Sequence, residues 1–116
     1  MKVIIAGCRN FFDYELLKTK CDIYLSSVKQ QVEIVSGTAN GADKLGEKYA
    51  SEKGYPVKQF PADWDKYGKS AGYKRNEEMA KYADALIAFW DGKSKGTGHM
   101  IDLAKKHELG IRIVIF

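Results

Sequence analysis

Apolar runs suited to strands recur along this chain at intervals that leave room for one helix between each pair. The runs cover residues 3–6, 32–35, 57–60, 85–89 and 111–115. Four stretches with helical spacing separate them. The first places Leu17, Cys21, Tyr24, Leu25 and Val28 on one face, behind Asp13 as N-cap and a Phe12–Leu17 hydrophobic staple. The second carries Ala42, Leu45, Tyr49 and Ala50 inward and stops at Gly54, with Pro56 beyond. The third starts at Ala71 or Tyr73 and ends at Tyr82, with Met79, Ala80 and Ala83 inward. The fourth begins near Thr97, carries Met100, Ile101 and Ala104, and stops at Gly110. A helix between two strands returns the chain to the same end of a sheet. The alternation therefore requires a parallel sheet covered on its two faces, an α/β fold.

Strand chemistry orders the sheet. Runs one and four are unbroken apolar segments, as burial on two faces demands, whereas runs three and five contain Lys58 and Arg112 and suit the edges. The order 3-2-1-4-5 follows, a five-stranded parallel sheet in a Rossmann-like three-layer sandwich, with its switch point between strands one and four. The chain of 116 residues reads as one domain, 1–116, and its 45% hydrophobic content supplies a core. No apolar run is long enough to span a membrane and no secretory leader opens the chain, so a cytoplasmic protein with no membrane partner is expected. Nineteen basic and fifteen acidic side chains leave a mild net charge of +4, with lysines dispersed among acids. Cys8 and Cys21 have no metal-ligand spacing and imply no disulfide framework.

Ligands of such sheets bind at the carboxyl ends of the strands, so function must lie in the loops there. After strand one, Gly7-Cys8-Arg9-Asn10 offers close backbone approach and a guanidinium fork for phosphate or carboxylate, or serves only as a turn. Cys8 could act as a nucleophile beside Arg9, but such a cysteine is more often a small residue packed at a strand end, and no histidine is near it in sequence. After strand two, the small residues from Ser36 to Asp43 open a helix, with Asn40 as its N-cap, and form a candidate anion site. They match neither GxGxxG nor a Walker loop, so no cofactor is assigned. The segment after strand three, residues 60–76, is a long loop with aromatic faces, carboxylates and Arg75. Asp63 and Asp65 lack a third ligand, so no metal is expected. After strand four, Trp90-Asp91-Gly92 leads to a second glycine-rich helix start at Gly96-Thr97-Gly98-His99.

Taken together, Gly7-Cys8-Arg9, the run from Ser36 to Asp43, Phe60 to Trp64, Arg75-Asn76 with Met79, and Phe89 to Ile101 resemble the SLOG superfamily. These Rossmann-like domains include cytokinin-activating phosphoribohydrolases of the LOG type and Smf-type DNA-processing proteins. The resemblance is to a small single-domain bacterial and phage branch and covers essentially the whole chain. It implies binding of a nucleotide or nucleotide-derived ligand, and a homo-oligomer, a dimer as is common in the superfamily. The enzyme members pair an arginine and a lysine on one helix with a Gly-Gly-x-Gly-Thr-x-x-Glu loop. Arg75 matches the arginine and Gly96-Thr97 the Gly-Thr pair, but Asn76 stands in the lysine's place and Met100 in the glutamate's. A methionine cannot act as a general acid or base.

The leading expectation is a sensor or scavenger of a phosphoribosyl or ADP-ribose-type compound. Its phosphate would lie against Ser36, Gly37, Thr38, Gly41, Ala42, Asp43, Gly96 and Thr97, helped by Arg9 and Arg75. Gly7, Cys8, Asp63, Trp64, Asn76, Trp90, Asp91 and His99 complete the expected ligand-binding set, with Asp63, Trp64, Trp90 and Asp91 toward sugar and base. A competing reading is a phosphoribohydrolase of nucleoside monophosphates, with Arg75, Asp91 and His99 as catalytic candidates and Asp43 as a further substitute for the missing carboxylate. A third reading is a nucleic-acid-binding protein. Dispersed lysines neutralise few phosphates at once, so nucleic acid is expected to be an unlikely partner. A fold that retains no small ligand is the bland reading beside all three.

Overall fold

The computed structural model covers residues 1–116. Its sheet is built from β1 (Lys2–Gly7), β2 (Glu33–Ser36), β3 (Val57–Gln59), β4 (Ala85–Trp90) and β5 (Gly110–Ile115). All pairings are parallel and the order is β3-β2-β1-β4-β5, as the strand chemistry requires. The helices are α1 (Tyr14–Leu25), α2 (Ala42–Lys53), the short α3 (Trp64–Tyr67), α4 (Ala71–Tyr82) and α5 (Lys95–Lys106). Strand β1 sends Val3 and Ile5 into a core with Leu17, Cys21 and Tyr49 from α1 and α2. Its alternate residues Ile4 and Ala6 enter a second core with Met79, Met100 and Ala104 from α4 and α5. Strand β4 divides likewise, Ile87 and Phe89 to the first core and Leu86 and Ala88 to the second. A strand buried on two faces has no position left for a polar side chain. Strand β3, at one edge, is exposed at all three residues.

Local chemistry sets most helix ends. Asp13 caps α1, its Oδ1 accepting from Leu16 N–H at 3.1 Å. The expected staple is not made: Phe12 is 70% exposed, and Phe11 is buried instead. Phe11 N–H donates to the Cys8 carbonyl, and this turn points the Phe11 ring into the core against Phe89, 4.9 Å away, and Phe116, 4.8 Å away. Helix α2 starts from Gly41 at φ +80°, not from Asn40. A methyl group on Gly41 would lie 2.4 Å from the Cys8 carbonyl oxygen, so the β1 and β2 loops meet there over glycine. Inside α2, a methyl on Gly46 would sit 2.8 Å from Ile5 Cβ, so glycine is what lets this helix lie close on the sheet.

The third long helix begins at Ala71, one of its two expected starts, whereas the segment before it and the ends of the last helix differ from expectation. Residues 60–76 are not an open loop. Asp63 Oδ1 accepts from Lys66 N–H and caps α3, a 3₁₀ turn at Gly68–Ser70 follows, and α4 begins at Ala71. Helix α5 starts at Lys95 and ends at Lys106, and Gly110 opens β5 after a turn with Glu108 at φ +60°. No helix is long and apolar enough to cross a membrane. Cys8 and Cys21 are buried, unpaired thiols.

Candidate functional site

A cleft of about 530 Å³ opens over the carboxyl ends of β1 and β4, where the strand order reverses. Its apolar floor includes Ala6, Met79 and Met100. Arg9, Lys69 and Arg75 bring positive charge to it, Asp43 and Asp91 negative charge, and Trp64 and Tyr73 aromatic faces. A smaller hollow of about 250 Å³ adjoins it and shares Arg9, Ala39, Trp64 and Arg75.

Of the residues singled out from the sequence, Gly7, Cys8, Arg9, Asp43, Trp64, Arg75, Asn76, Asp91, Gly96 and Thr97 line the cleft. Gly37 and Thr38 line the hollow. Ser36, Gly41, Ala42, Asp63, Trp90 and His99 line neither. Ser36 is fully buried; its Oγ donates to Glu47 Oε2 at 2.6 Å and accepts from Thr38 N–H at 3.1 Å. Ala42 N–H donates to the Cys8 carbonyl at 3.3 Å, so the first amide of α2 is taken up by the β1 loop instead of facing a ligand. Asp63 is engaged as the α3 cap. Trp90 is pinned by its Nε1–H donating to the Ser94 carbonyl at 3.0 Å.

Arg75 is the hub of the site. Its Nη1 donates to the Gly37 carbonyl and its Nε to Asn76 Oδ1 at 3.0 Å. Buried Asn76 passes the contact on, its Nδ2 lying 3.3 Å from the Gly96 carbonyl and 3.3 Å from His99 Nδ1. With Nδ1 accepting, His99 carries its proton on Nε2. The Tyr73 ring meets the His99 ring edge-on at 4.4 Å. Two neighbouring side chains of α4, Arg75 and Asn76, therefore tie the loop after β2 to the start of α5. Burial lowers the His99 pKa, with Asp102 and Glu77 opposing.

The carboxylates are not equivalent. Asp43 is 5% exposed, and its Oδ2 accepts from Ala39 N–H at 3.2 Å. Burial pushes its pKa up to about 6, against the Ala39 hydrogen bond and the positive charges of Arg75 and Arg9. A methyl on Gly37 would lie 2.7 Å from Asp43 Oδ2 and 2.9 Å from Arg75 Nη1, so the two charges face each other across this glycine. Burial lowers the Arg75 pKa while Asp43 supports its charge. Asp91 is held below the usual carboxylate range by the Ser94 and Lys93 amides, which donate to its Oδ1 at 2.8 Å each. Thr38 stands at φ +66°, strained for a β-branched residue, in the turn that carries the Ala39 amide toward Asp43.

Lys69, Gly72 and Tyr73 also line the cleft and were not singled out as site residues. For Gly72 the spacing carries a signal, since Gly72, Asn76 and Met79 fall at i, i+4 and i+7 of one helix.

Residues 1–67 match the family described as the YspA, cpYpsA-related SLOG family. The gene 61 protein of Mycobacterium phage D29 is 33% identical over 121 residues, an alignment covering 99% of this chain and 95% of the phage protein. Among solved structures, DNA processing protein A from Helicobacter pylori superposes with a TM-score of 0.65 at 20% identity. The superposition covers 97% of this chain and 64% of that one, and that protein is described for its single-stranded DNA binding mode. A nucleic-acid binder on this fold corrects two expectations: that nucleic acid is an unlikely partner, and that a small nucleotide-derived ligand is the leading reading. Dispersed lysines were the ground for the first, yet the cationic groups at the cleft are gathered by the fold from separate stretches of the sequence. The match over residues 1–67 and the nearly full-length phage relative place this chain in the YspA, cpYpsA-related SLOG family.

Proposed function

We propose that this protein binds single-stranded nucleic acid, with single-stranded DNA as its ligand, in the cleft over β1 and β4. The observation that carries the reading is the pairing of cations with exposed aromatic faces at one rim. Arg9, Lys69 and Arg75 can meet phosphates, while Trp64, 52% exposed, and exposed Tyr73 can stack on bases. The Helicobacter pylori protein of similar fold supports the choice of ligand. Duplex DNA keeps its bases stacked on each other and cannot offer them to Trp64 or Tyr73. The cleft and hollow share the wall formed by Arg9, Ala39, Trp64 and Arg75, so a strand crossing it would place neighbouring nucleotides on its two sides.

Three cations at the rim imply a limited electrostatic contribution. For single strands the logarithmic salt slope is about −0.7 per phosphate neutralised, which gives about −2 here. The test is fluorescence anisotropy of a labelled oligothymidine against a hairpin duplex of equal length. The single strand should bind more tightly, and Trp64→Ala should weaken it by about 1–3 kcal/mol, the usual cost of losing one base stack. Equal affinity for the duplex, or a Trp64→Ala variant that binds as wild type, refutes the proposal.

A further inference from the structure

We propose that the corner formed by α3, the 3₁₀ turn and the start of α4 extends the cleft, with Lys66 and Lys74 taking phosphates of a single strand that leaves it past Lys69. The inference rests on the single-strand reading above and gives the strand a path across the surface. Lys66, Lys69 and Lys74 are all exposed there.

The corner is continuous with the cleft. Trp64 and Lys69 line the cleft, and Tyr67 follows Trp64 by one turn of α3, on the same face. A methyl on Gly72 would lie 3.7 Å from Trp64 Cη2, so α3 runs beside the first turn of α4. That packing brings two helices to one ring. The Lys66 and Lys74 ammonium groups stand 5.1 and 5.7 Å from the centre of Tyr67. The backbone around the ring is held from within. Asp63 caps α3, Gly68 N–H donates to the Trp64 carbonyl, and Ser70 Oγ donates to the Tyr67 carbonyl at 2.9 Å. Tyr67 is therefore a positioning residue: it gathers two flexible ammonium groups before any ligand arrives, which lowers the ordering cost of binding.

The missing acid identifies the occupant. Three other lysine–tyrosine contacts each include a carboxylate. Lys2 lies on Tyr82, whose hydroxyl donates to Glu33. Lys48 lies on Tyr14, bonded to Glu52, and Lys53 on Tyr49, bonded to Asp22. Those lysines are balanced by the protein itself. The hydroxyl of Tyr67 is not among those that bond a carboxylate, and the ion pairs of the structure use Lys44, Lys53 and Lys81. Asp63 and Asp65 share the α3 end with Lys66, but neither pairs with it. Unbalanced cations beside an aromatic ring, leading out of the cleft, match a chain that carries its phosphates and bases together.

Fluorescence anisotropy across a salt series, with oligothymidines of about 4 and about 12 nucleotides, tests the proposal within the range one groove covers. The three cleft cations alone give a slope of about −2, and adding Lys66 and Lys74 takes it to about −3.5. The short strand should show the first value and the long strand the second. Lys66→Gln with Lys74→Gln should return the long strand to about −2 and leave the short one unchanged. Each single substitution should remove about 0.7, so the test stands if the double variant fails to fold. Lys105→Gln with Lys106→Gln removes the same charge at the far end of α5 and should bind as wild type. Circular dichroism checks folding. A long-strand slope no steeper than that of the short strand, a double variant that keeps the wild-type slope, equal loss with the short strand, or equal loss in the α5 variant overturns this proposal and leaves the cleft reading standing. If neither oligothymidine binds, both fall.

Discussion

Replacing Asp43 with asparagine should stabilise the protein at neutral pH and tighten its hold on phosphate. Asp43 is buried beside Arg75, and its pKa of about 6 lies above the ordinary 3.8. A raised carboxyl pKa means that the folded state binds the proton more tightly than the unfolded chain. Its contribution is therefore full below 3.8 and is lost as pH rises through about 6. A shift of about two pKa units corresponds to about 3 kcal/mol, of which about 1.4 kcal/mol is present at pH 5 and almost none at pH 8. Asparagine keeps an oxygen for the Ala39 amide without the buried charge, so Asp43→Asn should gain up to about 3 kcal/mol over wild type at pH 8 and progressively less toward pH 5. His99 acts in the opposite sense over part of this window. Its lowered pKa removes stability as pH falls through the ordinary 6.5. The comparison of variant with wild type at each pH cancels that contribution. The same ionised carboxylate competes with a phosphate for Arg75. Removing one charge about 7 Å from a phosphate, at an effective dielectric constant near 20, is worth about 1–2 kcal/mol after solvent screening. Oligothymidine binding by wild type should strengthen from pH 8 to pH 5, while Asp43→Asn binds tightly with a flatter profile. Urea denaturation and anisotropy at both pH values supply the data. An Asp43→Asn variant less stable than wild type at pH 8, or one that keeps the wild-type pH dependence, refutes the reasoning.

Three other substitutions have defined outcomes. Gly46→Ala should lower stability by about 1–3 kcal/mol in thermal melts, because its methyl would meet Ile5 Cβ at 2.8 Å in a packed interface. Asn76→Ala leaves Arg75 Nε and the Gly96 carbonyl without a shared partner and should cost about 1–3 kcal/mol. In the same variant the His99 titration, followed by NMR, should move away from its wild-type position, because Nδ1 loses its donor. Arg75→Gln should reduce the salt slope of oligothymidine binding by about 0.7. It should also destabilise the fold, because Asp43 would lose its facing charge and the Gly37 carbonyl its donor.

Sheet order was legible in the sequence because burial on two faces leaves a one-dimensional trace. The unbroken runs at β1 and β4, and Lys58 and Arg112 in the outer strands, are read directly from composition along the chain. Asp13 and Gly54 were legible as helix ends for a similar reason, since caps depend on residues within one turn. Which loop residues meet at the cleft depends on where the crossovers deliver them. Phe11 rather than Phe12 turns inward because of a hydrogen bond to the Cys8 carbonyl. The same carbonyl takes the Ala42 amide and turns the start of α2 against the β1 loop. Arg9 comes from the β1 loop and Lys69 and Arg75 from the turn and helix after β3, and only folding brings the two together at one rim. The apposition of Asp43 and Arg75 across Gly37 is likewise long-range and leaves no periodic signal. Periodicity reports what one segment buries, and so the sequence by itself determined the layers and their order. Charge pairing and cleft shape arise between segments, and only the tertiary structure could decide them.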